Sequence, residues 1–396
     1  MTKRHLYGFV FPIFFMKENI KMNPVKWILS LSLLALLSLS TPGISQELPS
    51  FSLAWSEYPS WSTFGVAHKY GLINGHKGKM GEIENKWGVD IVLIEADYDP
   101  CITMYGSAQC DAVCITNMDA LNPCLGRKSA AILPTSTSFG ADACIVTGIS
   151  ELTALRGKKI YGLAKSVSEY CFVRAVEIKG EKEKDFLFTN MDPGAAALAM
   201  QQKQKGYDAI MVWNPFVLET LNKRKDAKVL FDSTTIPGEI IDMVVMAQSS
   251  LDKPGGEKFA CAVIDTFYAI NKRLADPKTR NDTLVSLGEK FSNLDLASME
   301  KVVQQTKFYS TPEEGLNLYT GDKLKKEIMP RVVDFCVSHD VIPQKPVIGY
   351  GSKDEVKDAS LRFDVSYINK VSAMEKKGAA APKKQEAPKT GKTEGK

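Results

Sequence analysis

The chain has 396 residues, 44% of them hydrophobic, with 50 Lys and Arg against 46 Asp and Glu for a net charge of +4. That apolar mass is enough for a sizeable core and argues against a wholly disordered, fibrous or multi-span membrane protein. The charge is localised: residues 1–45 carry +4 and residues 376–396 carry +5, which leaves an acidic body of −5 over 46–375 and removes the main support for nucleic-acid binding.

Residues 22–26 are a short basic lead and 27–40 an apolar run rich in Leu. Gly43-Ile44-Ser45 then supplies small residues before a cut at Gln46, so 1–45 reads as an export signal. The run is short of the roughly 20 apolar residues that span a bilayer; a retained anchor is the alternative reading, and Met22 an alternative start. The eight Cys include no CxxC pair and several lie in apolar runs, which predicts buried thiols for most of them. One or two bridges among Cys101, Cys110, Cys124 and Cys144 stay open.

From Ser52 the sequence alternates short apolar runs with helical stretches. Strands are expected at 52–55, 90–95, 111–116 and 130–134, with helices at 61–70 and 98–109. The pattern then starts afresh, with strands at 159–164, 186–189, 208–213 and 229–231 separated by helices near 168–179, 194–205 and 215–224. After an apolar run at 240–246 the chain is mostly helical to about Asp340. Continuous apolar strands with helices between them predict an α/β fold of parallel strands covered on both faces. Two such units and a helical return predict two lobes: 46–134 and 247–345 form the first and 135–246 the second, with 346–375 an extension packing on the body. The Lys/Ala/Pro tail from 376 to 396 has almost no large apolar residue and is expected to be disordered.

Polar and aromatic residues gather where strands end: Trp55-Ser56-Glu-Tyr58-Pro-Ser-Trp61, Thr116-Asn117-Met-Asp119, Ser166-Val-Ser168-Glu169 and Trp213-Asn214-Pro215. In open α/β sheets ligands sit outside the carboxyl ends of strands, beside helix starts, so these loops predict a small polar ligand held between two lobes. Several also fit helix caps: Ser166 with Glu169, Thr311 with Glu314, and Thr116 with Asp119 as a variant. Trp61 begins a helix and suits the core as well as the pocket.

Catalytic signatures are sparse. His68, His76 and His339 are the body's histidines and none sits near a Gly-x-Ser-x-Gly elbow. No His/Cys spacing matches a zinc site, and Gly71 to Gly81 lacks the preceding strand of a dinucleotide fingerprint, so no cofactor or metal is expected. Asp119, Glu239 and Asp242 could pair as acid and base, but capping, hinge or ligand-charge roles explain them more simply.

In order along the chain, Ala54-Trp-Ser-Glu-Tyr-Pro-Ser-Trp-Ser-Thr-Phe-Gly-Val-Ala67, Tyr70-Gly-Leu72, Gly88-Val-Asp-Ile, Tyr98-Asp-Pro-Cys-Ile, Asp111-Ala-Val-Cys-Ile-Thr-Asn-Met-Asp119, Leu155-Arg-Gly-Lys-Lys-Ile, Val212-Trp-Asn-Pro215 and Leu230-Phe-Asp-Ser-Thr-Thr-Ile-Pro-Gly-Glu239 resemble the solute-binding proteins of nitrate/sulfonate/taurine-type ABC importers, a group that includes thiamine-precursor binders. The resemblance covers about 48–345 and rests on the order of the motifs. It implies a two-lobe periplasmic-binding fold of type II, with two crossover strands near 134–138 and 244–248, and a non-enzymatic role. It also implies a periplasmic or otherwise extracytoplasmic monomer that delivers its ligand to an ABC permease and ATPase, touching the membrane only through that permease or a retained anchor. By position it assigns Trp55, Ser56, Tyr58, Thr116, Asn117, Asp119, Ser136 within the first crossover, Ser166, Ser168, Trp213 and Asn214 to the cleft. Relatives commonly carry an acid where Asn214 stands, so no particular ligand transfers.

On their chemistry, Ser166 and Ser168 at a helix start favour an anionic or carbonyl oxygen. Asp119 and Glu239 favour an amine or ring N–H, and Trp55, Tyr58 and Trp213 favour a flat or zwitterionic ligand. These loops hold no obvious Arg, which weakens nitrate or a simple sulfonate, where bidentate recognition is expected. The expected ligand is therefore a small nitrogen- or sulfur-containing organic compound. The rival readings are an exported enzyme using Asp119 and Glu239, and a ligand-sensing module for a separate receptor.

Overall fold

A computed structural model describes residues 48–380, with side chains described through 377; the expected export signal and the tail from 381 lie outside the described residues. The strands in chain order are β1 (Ser50–Trp55), β2 (Asp90–Glu95), β3 (Ala112–Thr116), β4 (Ser129–Ser138), β5 (Asp142–Thr147) and β6 (Lys159–Gly162). They continue as β7 (Leu187–Asn190), β8 (Ala209–Trp213), β9 (Ala227–Asp232), β10 (Ile241–Ala247), β11 (Thr306–Phe308), β12 (Ile348–Tyr350) and β13 (Leu361–Phe363).

Two sheets result. The first runs β12-β13-β4-β10-β3-β1-β2, with β11 also paired to β4, and the second runs β7-β6-β8-β5-β9. β1 pairs in parallel with β2 and β3, as continuous apolar strands linked by helices should. β10 runs antiparallel to both β3 and β4, because the chain re-enters the first sheet from the opposite end, and β11 is likewise antiparallel to β4. In the second sheet β5 likewise lies antiparallel to β8 and β9.

The chain crosses between the sheets at residues 139–141, after β4, and again at 233–240, between β9 and β10. The first crossing adjoins the expected 134–138. The second precedes the expected 244–248, since Val244 to Ala247 pair inside the first sheet with β3 and β4, and β10 thus belongs to the first lobe's sheet. β5 was not expected as a strand: its apolar run is short and opens on an acid. The expected tail also begins too early, because the last helix, Ser366–Ala380, continues past 376.

Alternation along the strands explains the packing. In β5, Ala143 and Ile145 face a small cluster with Ile210, Val212 and Met200, while Cys144 and Val146 face the main core with Phe172. That main core is continuous from β3 and β10 of the first sheet to β5 and β8 of the second, joined by Met329, Val332 and Phe335 of the helix Met329–Ser338. A further core lies across the other face of the first sheet, where Phe51, Leu53 and Trp55 meet the 20-residue helix Gly256–Ala275. All eight cysteines are buried free thiols, so none of the bridges left open from the sequence forms.

Candidate functional site: a cleft between the sheets

The start of β10, the ends of β1 and β3 and the start of β5 meet at one place. Asp242 of β10 is the register partner of both Thr116 on β3 and Ser136 on β4, which puts the three in a row across the first sheet. In the second sheet Asp142, the first residue of β5, stands opposite Trp213, the last of β8. Between the two lies a cavity of about 290 Å³ lined by residues from both sheets.

Aromatic rings cross it in a chain. Tyr58 and Trp61 have centroids 4.9 Å apart, Trp61 stacks on Tyr98 at 5.4 Å, Tyr98 meets Trp213 edge-on at 6.4 Å, and Trp213 meets Phe216 at 6.4 Å. The first three rings come from the first lobe and the last two from the second, so the Tyr98–Trp213 contact bridges the lobes across the cleft. The lining also holds six carboxyl residues, Glu57, Asp97, Asp99, Asp142, Asp192 and Asp242, and among the described residues that line it there is no Lys, Arg or His.

Two of these acids are almost wholly buried, Asp142 and Asp242 each being 2% exposed. Ser138 Oγ donates to Asp142 at 2.5 Å, and Ser136 Oγ lies 2.5 Å from Asp242 and 2.8 Å from Ser60 Oγ. Burial pushes the Asp142 carboxyl up to about 6, against a smaller opposing effect of the Ser138 hydrogen bond. Burial raises Asp242 further, well above the ordinary carboxyl range, with the Ser136 hydrogen bond opposing and the charge of Asp142 reinforcing the rise. Among the described residues no cluster of His, Cys, Asp or Glu converges in a way that could hold a metal ion.

Of the residues expected in the cleft, Ser56, Tyr58, Thr116 and Trp213 line the cavity. Trp55 turns into the core beneath β1, 1% exposed and packed on Gly65, where a Cβ would come within 2.8 Å of its ring. Asn117 is buried and ties the second crossing down, its Nδ2 donating to Glu239 O at 3.1 Å and its Oδ1 accepting from Ile241 N at 3.0 Å. Asp119 sits behind the wall, accepting from Tyr98 Oη at 2.7 Å and Thr116 Oγ1 at 2.8 Å; burial raises it to about 6 despite those bonds. Ser136 faces Asp242 rather than open space.

Ser166 caps the helix Val167–Ile178, accepting from Ser168 N at 3.2 Å, and Val167, not Ser166 or Ser168, reaches the cavity. The Ser168 hydroxyl is buried without a partner. Asn214 spans the lobes by donating to Gln305 Oε1 at 2.8 Å. Glu239 is engaged elsewhere, accepting from Arg174 Nε at 3.1 Å, from Arg331 Nη1 at 2.8 Å and from Tyr170. Neither Asp119 nor Glu239 therefore lines the cavity, and the acid and base pair on which an enzymatic reading relied is not assembled there.

Among the residues missed from sequence are Asp142, Tyr98, Phe216 and the carboxyls Glu57, Asp97, Asp99 and Asp192, while Trp61 proves to line the cavity, as does Asp242, noted from sequence only as an acid. A signal was present: Asp142-Ala-Cys-Ile-Val and Ile241-Asp242-Met-Val-Val each set one carboxylate at the start of an otherwise apolar strand. Charge in such a place is costly unless something meets it.

No protein-family profile matches the chain, and no curated protein matches it in sequence. Solved structures do match in shape. The periplasmic aliphatic sulphonate binding protein SsuA of Escherichia coli is 17% identical, with 75% of this chain and 94% of that one covered and a TM-score of 0.60. The alkanesulfonate-binding protein SsuA of Xanthomonas axonopodis pv. citri, bound to MOPS, is 15% identical, with coverage of 76% and 96% and a TM-score of 0.60. The Candida albicans CA3427 product, described as having the generic periplasmic binding protein fold, is 12% identical, with coverage of 72% and 95% and a TM-score of 0.52. With two α/β sheets, two crossings and a cleft between them, this chain has the fold of the periplasmic binding proteins.

Proposed function

We propose that this chain is the extracytoplasmic solute-binding subunit of an ABC importer, which captures a small nitrogen- or sulfur-containing organic compound by lobe closure and hands it to a permease and its ATPase. The observation that carries the reading is the cavity of about 290 Å³ between the two sheets, bridged by the ring chain from Tyr58 to Phe216. That volume is at the small end of ligand pockets. A ligand touching both walls adds contacts that exist only when the lobes meet, and this difference in affinity shifts the open and closed populations. Export is supported by the basic lead, apolar run and small residues of 22–45. No helix of the described residues is long and apolar enough to cross a membrane.

The test is native mass spectrometry of the protein recovered from its own cells, for a carried small molecule, together with thermal unfolding in the presence of sulfonates, amines, ureas and pyrimidines. A ligand at a hundred times its Kd stabilises the folded state by about 2.7 kcal/mol, which is a measurable shift. A protein that carries nothing and is stabilised by none of these compounds refutes the reading.

A further inference from the structure

The charge of the cavity narrows its ligand. We propose that the cleft takes a small organic cation, an amine, amidine or guanidine on a flat or compact skeleton, with Asp142 and Asp242 as its two counter-charges, and that capture releases a proton to solvent. This rests on the solute-binding reading and specifies its ligand class.

Three observations carry it. The two carboxyls are each 2% exposed and line the cavity, one contributed by each sheet. The titratable groups around them are Tyr58, Cys114, Asp119, Cys171 and Tyr309, with Glu57, Asp97, Asp99 and Asp192 elsewhere in the lining, all acids, so none of these described residues supplies a positive charge. Arg174 and Arg331 are committed elsewhere, to Glu239. Second, the aromatic residues Trp61, Tyr98 and Trp213 line the cavity, and a cation that settles over a ring face is attracted to it. Third, the indole N–H of Trp61, itself 3% exposed, has no hydrogen-bond partner among the described residues although its ring lines the cavity, a donor that a ligand acceptor such as a ring nitrogen or carbonyl oxygen reaches once the ring shifts on ligand entry.

An anion fails on the same grounds. A sulfonate here would meet two buried carboxyls and no Lys or Arg among the described lining residues. The proton balance follows from burial: an empty, closed pocket favours the neutral acids, and a bound cation favours the carboxylate, so the O–H bond breaks and the proton leaves to water. Asp142, raised to about 6, is the group that titrates in an accessible range.

The experiment uses the full chain and matched probes: benzylamine, benzamidine and methylguanidine as cations; benzyl alcohol, benzamide and methylurea as neutral isosteres; benzenesulfonate and ethanesulfonate as anions. Thermal shifts confined to the cations are expected. Shifts confined to neutral or anionic probes, or a carried ligand of either kind, overturn the cation assignment and leave the solute-binding reading standing; no shift and no carried ligand overturn both. For a probe that binds, calorimetry at pH 5 in buffers of different ionisation enthalpy is expected to show about one proton or more released, with affinity falling at least tenfold per pH unit below about 6. A buffer-independent heat and a flat pH profile overturn the proton release. Asp142→Asn and Asp242→Asn are each expected to weaken cation binding at least tenfold and, for Asp142→Asn, to flatten the pH profile; unchanged affinity in both overturns the assignment.

Discussion

Replacing Asp142 with Asn should make the empty protein more stable while spoiling its cleft. The ordinary carboxyl value of 3.8 rises to about 6 in the fold, with burial the main cause. A raised value means that the folded state binds the proton more tightly than the unfolded one. Its effect is therefore absent below 3.8, grows as a penalty between about 4 and 6, and stays constant above. About two pH units at about 1.4 kcal/mol each make that penalty about 3 kcal/mol at pH 7.5; at 2% exposure, solvent screening does little to reduce it. Asn keeps an acceptor for Ser138 Oγ, and the extra strength of the charge-assisted bond is already contained in the raised value, so nothing further is subtracted. The net expectation is about 3 kcal/mol of added stability. Urea unfolding of both proteins from pH 4 to pH 8, without ligand, measures it: the two curves should coincide near pH 4 and separate to a plateau above pH 6. A variant as stable as the parent or less stable at pH 7.5, or a difference that does not depend on pH, refutes the reasoning. A binding site that costs stability is a familiar exchange between function and folding.

Glu239→Gln should destabilise by about 2 kcal/mol, because Arg174 keeps only Glu177 as a partner while the more exposed Arg331 loses little. Burial alone would raise the Glu239 carboxyl, but the hydrogen bonds from Arg174 and Tyr170 and the charges of Arg174 and Arg331 hold it below its usual value of 4.5, so its contribution is present above that pH and lost in acid. The parent and the variant should therefore converge in stability as pH falls below about 4, and parallel curves there would count against the network. Phe172→Ala removes a wholly buried ring that meets Phe186, Phe188 and Phe231 at 5.8, 5.6 and 5.9 Å, and should cost about 3–5 kcal/mol in denaturant unfolding; a loss under 1 kcal/mol would contradict that packing. The cysteines should be silent to a thiol reagent in the folded protein and yield all eight thiols once unfolded, since all are buried and burial pushes Cys101, for one, up to about 12. Fewer than eight without reductant would reveal a bridge.

The sequence reads most clearly where one physical cause acts alone. Asp90–Glu95 emerges with its expected limits because a continuous apolar run between polar residues leaves a strand few alternatives. Asp142–Thr147 escaped because its meaning is tertiary: the acid that opens it belongs to a cleft formed only when β10 and β5 are brought together. The site shows the same split. Tyr58 and Trp213 stand where strand ends predict a wall, whereas Trp55, one residue from Ser56, faces the opposite side of its strand and feeds the core. Asn117 and Glu239 have the chemistry of ligand contacts, yet their partners are a backbone segment and two arginines far away in the chain. Residue type states what a side chain can bond; only the register of β3, β4 and β10 decides what it meets.

The outer edge of β4 is covered by two borrowed pieces of chain, β13 along Ser129 to Ala131 and β11 along Ser136 to Ser138. Without them a ten-residue strand would present open N–H and C=O groups, interrupted only at Pro134, and such an edge recruits strands from other molecules. With them, the sheet ends on that side in β12, three residues long. A chain cut before residue 346 would thus keep its cleft-forming strands but gain a surface for self-association, so its failure would show as aggregation rather than as a lost pocket.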